Sequence, residues 1–346
     1  MRRIAPSTAS LSLLAVALGL AGCSAGSGPS TTTALGPGTL PDSVLRAPAS
    51  RAEFGVVLPR GFVPPAQRRA AGPGWLSPYA KAGKNVVYIA DQGAGAVRIY
   101  KQKGTGQQPI GEITQGISGV DGLFVDSNKS LYACNFGNGT VTVYPAGSTS
   151  PSETLSGAGS PIDVVVALDG TVFVANFNSG TDGTVLEYPK GQTTPSHTVV
   201  TFGAGSFPEG LGIDSQNALY VAYNTNDGEV LKFTTPSGSG TNLGIHVGYV
   251  GGMAIDKKND ILLVDQNLPG VDVFPPGSTS PSQKITGFSL AFDVAINKKS
   301  SEIFVTTPFN TPEASRLAYP AGTINDEITG QLTSAFGVAT SPDGTD

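Results

Sequence analysis

Two cysteines, two histidines and one tryptophan are all that 346 residues contain of these side chains. Two cysteines cannot build a disulfide framework. His197 and His246 lie 49 positions apart with no HExxH spacing, so they offer no zinc pair and read as loop residues. Charge is scarce, at 14%. No basic tract interleaved with aromatic residues occurs, which argues against a nucleic-acid surface. No glycine-rich loop follows a strand and opens a helix, so no nucleotide cradle is indicated. Gly22, Ser24 and Gly26 match the spacing of a hydrolase nucleophile turn, but no strand precedes them and no helix follows.

What is abundant is glycine (46) and proline (26), set among 39% hydrophobic residues. That balance suits many short strands and turns, and the length suffices for a sizeable buried core. Cys134, within LYACN, reads as a small buried hydrophobe. Cys23 closes a different text, MRRIAPSTASLSLLAVALGLAGC. Arg2 and Arg3 form a basic end, Leu11 to Leu20 a short apolar stretch, and small residues follow, as in a secretion signal too short for an ordinary membrane span. Leu20-Ala21-Gly22-Cys23 resembles the lipobox of bacterial lipoproteins. The resemblance implies cleavage before Cys23, transfer of a diacylglyceryl group to its thiol and anchoring in the bacterial cell envelope, with Ser24 compatible with export beyond an inner membrane.

Three segments are therefore expected: a signal peptide over 1–22, a lipid-anchored leash over 23–74 and a folded domain over 75–346. The leash is rich in Ser, Thr, Gly, Pro and Ala and has no strand or helix period. Residues 24–75 hold five arginines against Asp42 and Glu53, a net of +3, whereas 76–346 hold 14 basic and 24 acidic side chains, a net of −10. Such a leash can contact an acidic body or anionic headgroups.

Beyond Lys84 one pattern recurs. The runs VVYIAD, LYACN, VFVAN, LYVAY, ILLVD and IFVTT carry equivalent residues Tyr88, Tyr132, Phe173, Tyr220, Leu262 and Phe304, spaced 44, 41, 47, 42 and 42 apart. Each is followed after 12 to 15 residues by Tyr100, Tyr144, Tyr188, Phe233, Phe274 or Tyr319, with NG or DG turns between in several units. A continuous apolar run precedes each from the second unit onward, and a short polar-flanked strand comes after it. Four strands per unit of about 43 residues cannot bury both faces alone, so the units must stack around an axis: an all-β, six-bladed β-propeller of four-stranded antiparallel blades. GTVTVYPAGSTSPSETLSG (139–157) and GVDVFPPGSTSPSQKITG (270–287) are the outer halves of units three apart, on opposite sides of such a ring. FGVATSPDG (336–344) reads as a first strand lacking a second and is favoured to close the ring by pairing with the first blade; Trp75-Leu76-Ser77 is the alternative.

LYVAxxxxxxVxxY, with the preceding DGLFVDSNKS or EGLGIDSQNA, resembles NHL-type repeats over nearly everything after Lys84. That resemblance implies the propeller but no single function. PEGLGID (208–214) and VDGLFVD (120–126) are similar to strand starts of the gluconolactonase and senescence-marker family, which implies a Ca²⁺ or other divalent cation near Glu209 and Asp121 and a metal-dependent lactonase activity. The matching positions elsewhere are Ile162, Gly251, Phe292 and Phe336, which bring no ligand side chain. Asp163 and Asp293 lie one place later, as candidate binding residues at the channel mouth, and alternation turns them away from the point that Glu209 and Asp121 would share. Asn135, Asn176, Asp91 and Asp265 recur at the exits of second strands and read as turn-forming residues; NTNDGE (224–229) is one residue short of a calcium loop and reads as a hairpin turn. The favoured reading is a lipid-anchored, monomeric binding module for a protein, glycan or peptide, in contact with the membrane through its anchor and not with nucleic acid. The alternative is the lactonase.

Overall fold

The computed structural model describes residues 73–177, 182–235, 238–309 and 311–341. The expected signal peptide, Cys23 and the leash up to residue 72 lie outside the described residues. Among these residues the one helix, α1 (Pro78–Ala82), is a single turn capped by Ser77, and no helix is long and apolar enough to cross a membrane.

Every other regular element among the described residues is a strand. Blade one holds β1 (Trp75–Leu76), β2 (Val86–Asp91), β3 (Ala96–Lys101) and β4 (Gly111–Ile113); blade two holds β5 (Val120–Val125), β6 (Leu131–Asn135), β7 (Thr140–Tyr144) and β8 (Glu153–Leu155). Blade three is β9 (Pro161–Val166), β10 (Val172–Asn176), β11 (Thr184–Tyr188) and β12 (His197–Thr201). Blade four is β13 (Phe207–Ile213), β14 (Leu219–Asn224), β15 (Gly228–Phe233) and β16 (Thr241–Val247). Blade five is β17 (Val250–Ile255), β18 (Ile261–Asp265), β19 (Gly270–Phe274) and β20 (Gln283–Thr286). Blade six is β21 (Val294–Ile296), β22 (Glu302–Thr307), β23 (Glu313–Ala318) and β24 (Thr323–Ile328). In blades two to six the strands pair antiparallel in sequence order. The chain is a six-bladed β-propeller.

Closure is made by the C-terminal end. β25 (Ala335–Thr340) pairs antiparallel with β2 as the innermost strand of blade one, joining residues about 250 positions apart. Trp75-Leu76, the alternative closing strand, instead adds a fifth strand beyond β4 at the outer edge. Two residues are enough to cover part of that edge but too few to line an axis.

Burial tracks radial position. The second strands β2, β10 and β18 are buried at every residue, whereas β12 and β16, at the rim, are mostly exposed. His197 and His246 stand on these rim strands and not in loops. The third-strand aromatics are among the largest side chains sealed between blades. Tyr100, Tyr144 and Tyr188 each donate a hydroxyl to a carbonyl at the end of the preceding blade: to Gly330 at 2.6 Å, Gln115 at 2.6 Å and Ser156 at 3.0 Å. One side chain thus fills the gap and satisfies its only polar atom across it. Asp91 and Asp265 accept from amides of the turns that follow them, Ala94 and Asn267, as turn residues do. Asn135 and Asn176 instead accept from Ser118 and Ser160 and so tie the end of the second strand to the segment before the inner strand; Asp91 does this as well, through Ser334. Cys134 is fully buried, and its thiol is pushed up in pKa by that burial, then by Asp163 and Asp121.

Candidate functional site: an axial cavity with a carboxylate pair

The six inner strands do not start as regular ladders. In blade two, Val120 faces Asn135 and Leu123 faces Ala133, so Asp121 and Gly122 together oppose Cys134. An extra residue sits at the same place in every blade: Ile162, Glu209, Gly251 and Phe336 mark it in blades three, four, five and one. In blade six, the Phe292 amide donates to Thr306 and the Thr306 amide donates to Asp293. Each is a β-bulge, which re-aims the next residue along. Alternation alone turns Asp163 and Asp293 away from the axis; the bulge turns them into it, and both line the axial cavity.

The residues after the extra one are Gly122, Asp163, Gly210, Gly252, Asp293 and Gly337. Around the ring this reads Gly-Gly-Asp twice, starting from Gly337. Where glycine stands, the inner strand meets its neighbour directly: a Cβ on Gly337 would come within 2.2 Å of the Asp121 carbonyl oxygen, and one on Gly252 within 1.8 Å of an Asp293 carboxylate oxygen. Where aspartate stands, its carboxylate spans the gap. Asp163 accepts from its own neighbour Val164 (2.8 Å) and from Leu211 in blade four (2.7 Å). Asp293 repeats this, accepting from Val294 (2.8 Å) and from Val338 in blade one (2.8 Å). The two aspartates belong to blades three positions apart, and each spends two acceptor sites on amides. A carboxylate has further lone pairs beyond those two.

Below the aspartates the cavity has a volume of about 310 Å³ and is walled by the six inner strands. Its lining is mostly aliphatic, with Leu123, Val166, Ile213, Met253 and Ile296 among the wall residues beside Phe124 and Thr340. At the far ends of the strands stand Leu168, 72% exposed, and Lys298. On the other side of the aspartates Phe292 and Phe336 meet edge to face at 4.7 Å, with Phe309 on Phe336 at 5.7 Å.

Taking two carboxylates out of water beside one another disfavours their charged form. Burial raises the pKa of Asp163 well above the ordinary value, Asp293 and then Asp121 add to the rise, and the amides of Leu211 and Val164 oppose it. Burial likewise pushes Asp293 up to about 7 against the pull of the Val338 and Val294 amides. Near neutral pH the pair retains a proton that two separate aspartates would have lost.

The other two expected site residues are placed differently. Asp121 and Glu209 are themselves the extra residues of their bulges, on blades two and four with the inner strand of blade three between them, and neither lines the cavity. Asp121 still acts on Asp163 through its charge, while buried Glu209 accepts from the Tyr249 hydroxyl at 3.3 Å. The Gly-Gly-Asp order was the signal available in the sequence. Residues 120–166 align with 250–296 at a constant offset of 130 without a gap, and that offset carries Gly122 onto Gly252 and Asp163 onto Asp293.

No known protein-family profile matches this chain, and no curated protein matches it. Among solved structures it is similar to a chain in the crystal structure of a nidogen/laminin complex, with a TM-score of 0.60 and 15% sequence identity over 74% of this chain and 98% of that one. At that identity the likeness is one of fold.

Proposed function

We propose that this chain is an exported, lipid-anchored NHL-type propeller that works as a binding module, and that its axial cavity seats a long cationic side chain presented by a protein or peptide. The observation that carries the reading is the pairing of an aliphatic wall with two carboxylates at one end of it. A lysine side chain has the matching order, an apolar stem followed by an ammonium. Seating the ammonium against the pair replaces the retained proton by a fixed positive charge, which offsets the cost of burying the charged carboxylates that raises both pKa values. Affinity for such a cation therefore rises as pH increases from about 5 to 8, with proton release on binding. The lipobox text ending at Cys23 and the leash after it support display of the ring at a membrane surface.

Octylamine and octanoate are the probes that test the seat, since they share a stem and differ in head charge. Calorimetry is expected to show saturable one-to-one binding of octylamine at pH 8, at least tenfold weaker binding at pH 5, and none of octanoate. Asp163→Asn with Asp293→Asn is expected to weaken octylamine at least tenfold. Equal binding of both probes, or no binding of either, overturns the proposal. Lactone turnover in the presence of a divalent cation, lost in Glu209→Ala, would replace it with the hydrolytic reading.

A further inference from the structure

A second cluster lies at the rim of blade four, independent of the axis. The β14–β15 turn carries Asp227, and Glu229 comes two residues later on β15, on the same side of the strand. β16 does not pair regularly with β15: Glu229 faces His246 while Leu231 faces Asn242, so Leu243, Gly244 and Ile245 together oppose Val230. This large bulge, with Gly244 at φ 67°, brings both His246 and Asn242 beside Glu229. Tyr223 on β14 faces Glu229 from the other side. The result is a constellation of oxygen and nitrogen donors: Asp227, Glu229 and His246 each offer one ligand atom, and all three atoms lie within 4.8 Å of one another.

We propose that Asp227, Glu229 and His246 bind one divalent transition-metal ion of the Zn²⁺ class. The chemistry of the donors makes the choice. An imidazole nitrogen with two carboxylates suits a borderline cation, whereas Ca²⁺ prefers a shell of oxygen alone. His246 Nδ1 pairs with Asp227 Oδ2 at 2.8 Å, and a small outward shift of these two exposed side chains opens that contact to the roughly 3.3–3.5 Å that two tetrahedral ligands of one ion at ~2.0–2.2 Å require. Glu229 is also held from behind. Its carboxylate accepts from the Tyr223 hydroxyl at 2.5 Å and from the Asn242 side-chain amide, and Tyr223 in turn stacks on Phe202 at 4.7 Å. Such outer partners orient a ligating carboxylate and normally accompany a metal site. The side chains of Asp227 and His246 are 42% and 55% exposed, so three protein donors leave the remaining coordination positions open to water or to a ligand from a partner.

Titration of the full chain with Zn²⁺ tests the site. Calorimetry is expected to saturate at one ion per chain, with at least a tenfold loss of affinity in His246→Ala and in Glu229→Gln, and a smaller loss in Tyr223→Phe. His197→Ala, at the other histidine, should bind as the parent does. Co²⁺ as a second probe separates this site from the thiol of Cys23: an N/O site gives weak visible bands without the intense near-ultraviolet band of a thiolate. Because His246 is at the surface, the His246→Ala variant is expected to unfold at the parent's temperature in a chelator. Absence of stoichiometric binding, binding that survives both ligand substitutions, or a thiolate band at the first equivalent overturns the proposal.

Discussion

At the scale of single residues, the ring is tuned by the side chain placed immediately after each inner-strand bulge. Glycine there allows backbone contact, and aspartate replaces that contact by a carboxylate clasp; Gly252 abuts the Asp293 clasp so closely that no side chain fits. The clasps have a cost that depends on pH. The folded pKa values of Asp163 and Asp293 are raised, so between the unfolded value near ~4 and the folded values the native state binds more protons than the unfolded state. Their contribution to stability is thus greatest at the acidic end of that window and declines as pH rises through about 7 for Asp293. Denaturant midpoints measured at pH 4.5 and pH 8 are expected to show this decline, of the order of ~2 kcal/mol, relative to Asp293→Asn, whose clasp cannot titrate. Parallel pH profiles for the two proteins would show that the clasp does not titrate in this range. Asp214 and Asp326 act in the opposite sense: hydrogen bonds and ion pairs with Lys232 and Arg316 outweigh burial and hold their pKa values low, so they favour the fold above about pH 4.

At the scale of elements, the closing strand and the outermost strand differ sharply in consequence. β25 covers the inner edge of β2, supplies the amide of Val338 to the Asp293 clasp and buries Phe336 against Phe292. Without it blade one would lose its inner strand, and blade six would face open water. β1 adds two residues at the rim, with Trp75 46% exposed. A chain ending at Gly330 is therefore expected to lose its cooperative thermal transition and to aggregate, while one beginning at Ser77 keeps both transition and solubility. Light scattering and calorimetry distinguish the two, and a cooperative transition in the chain ending at Gly330 would mean that the ring does not depend on β25.

At the scale of the whole molecule, the ring is close to two copies of a three-blade unit. Blades two and five share the GSTSP loop, and blades three and six share the aspartate clasp, so axial groups arrive in opposed pairs. The proposed lipid at Cys23 would hold such a ring at a membrane surface. Detergent phase partitioning of the protein from bacterial membranes is expected to move it from the detergent phase to the aqueous phase in Cys23→Ser, since each buried methylene of the lost lipid contributes about 0.8 kcal/mol. Aqueous partitioning of the parent would end the anchoring proposal.

The blade count and the strand order were determined by the sequence itself, which also narrowed the closing segment to two candidates. They rest on apolar periodicity, turn chemistry and the need of thin sheets for mutual cover, all of which are local or nearly so. The direction of single side chains at the axis was decided by tertiary structure. Strict alternation places Glu209 and Asp121 together on the axis, but one extra residue per inner strand reverses the parity, and Asp163 and Asp293 line the cavity instead. The approach of His246 to Asp227 and Glu229 likewise depends on a three-residue bulge in β16 whose position is set by pairing with β15. A bulge is a property of two strands in register, so neither strand's residues reveal it alone.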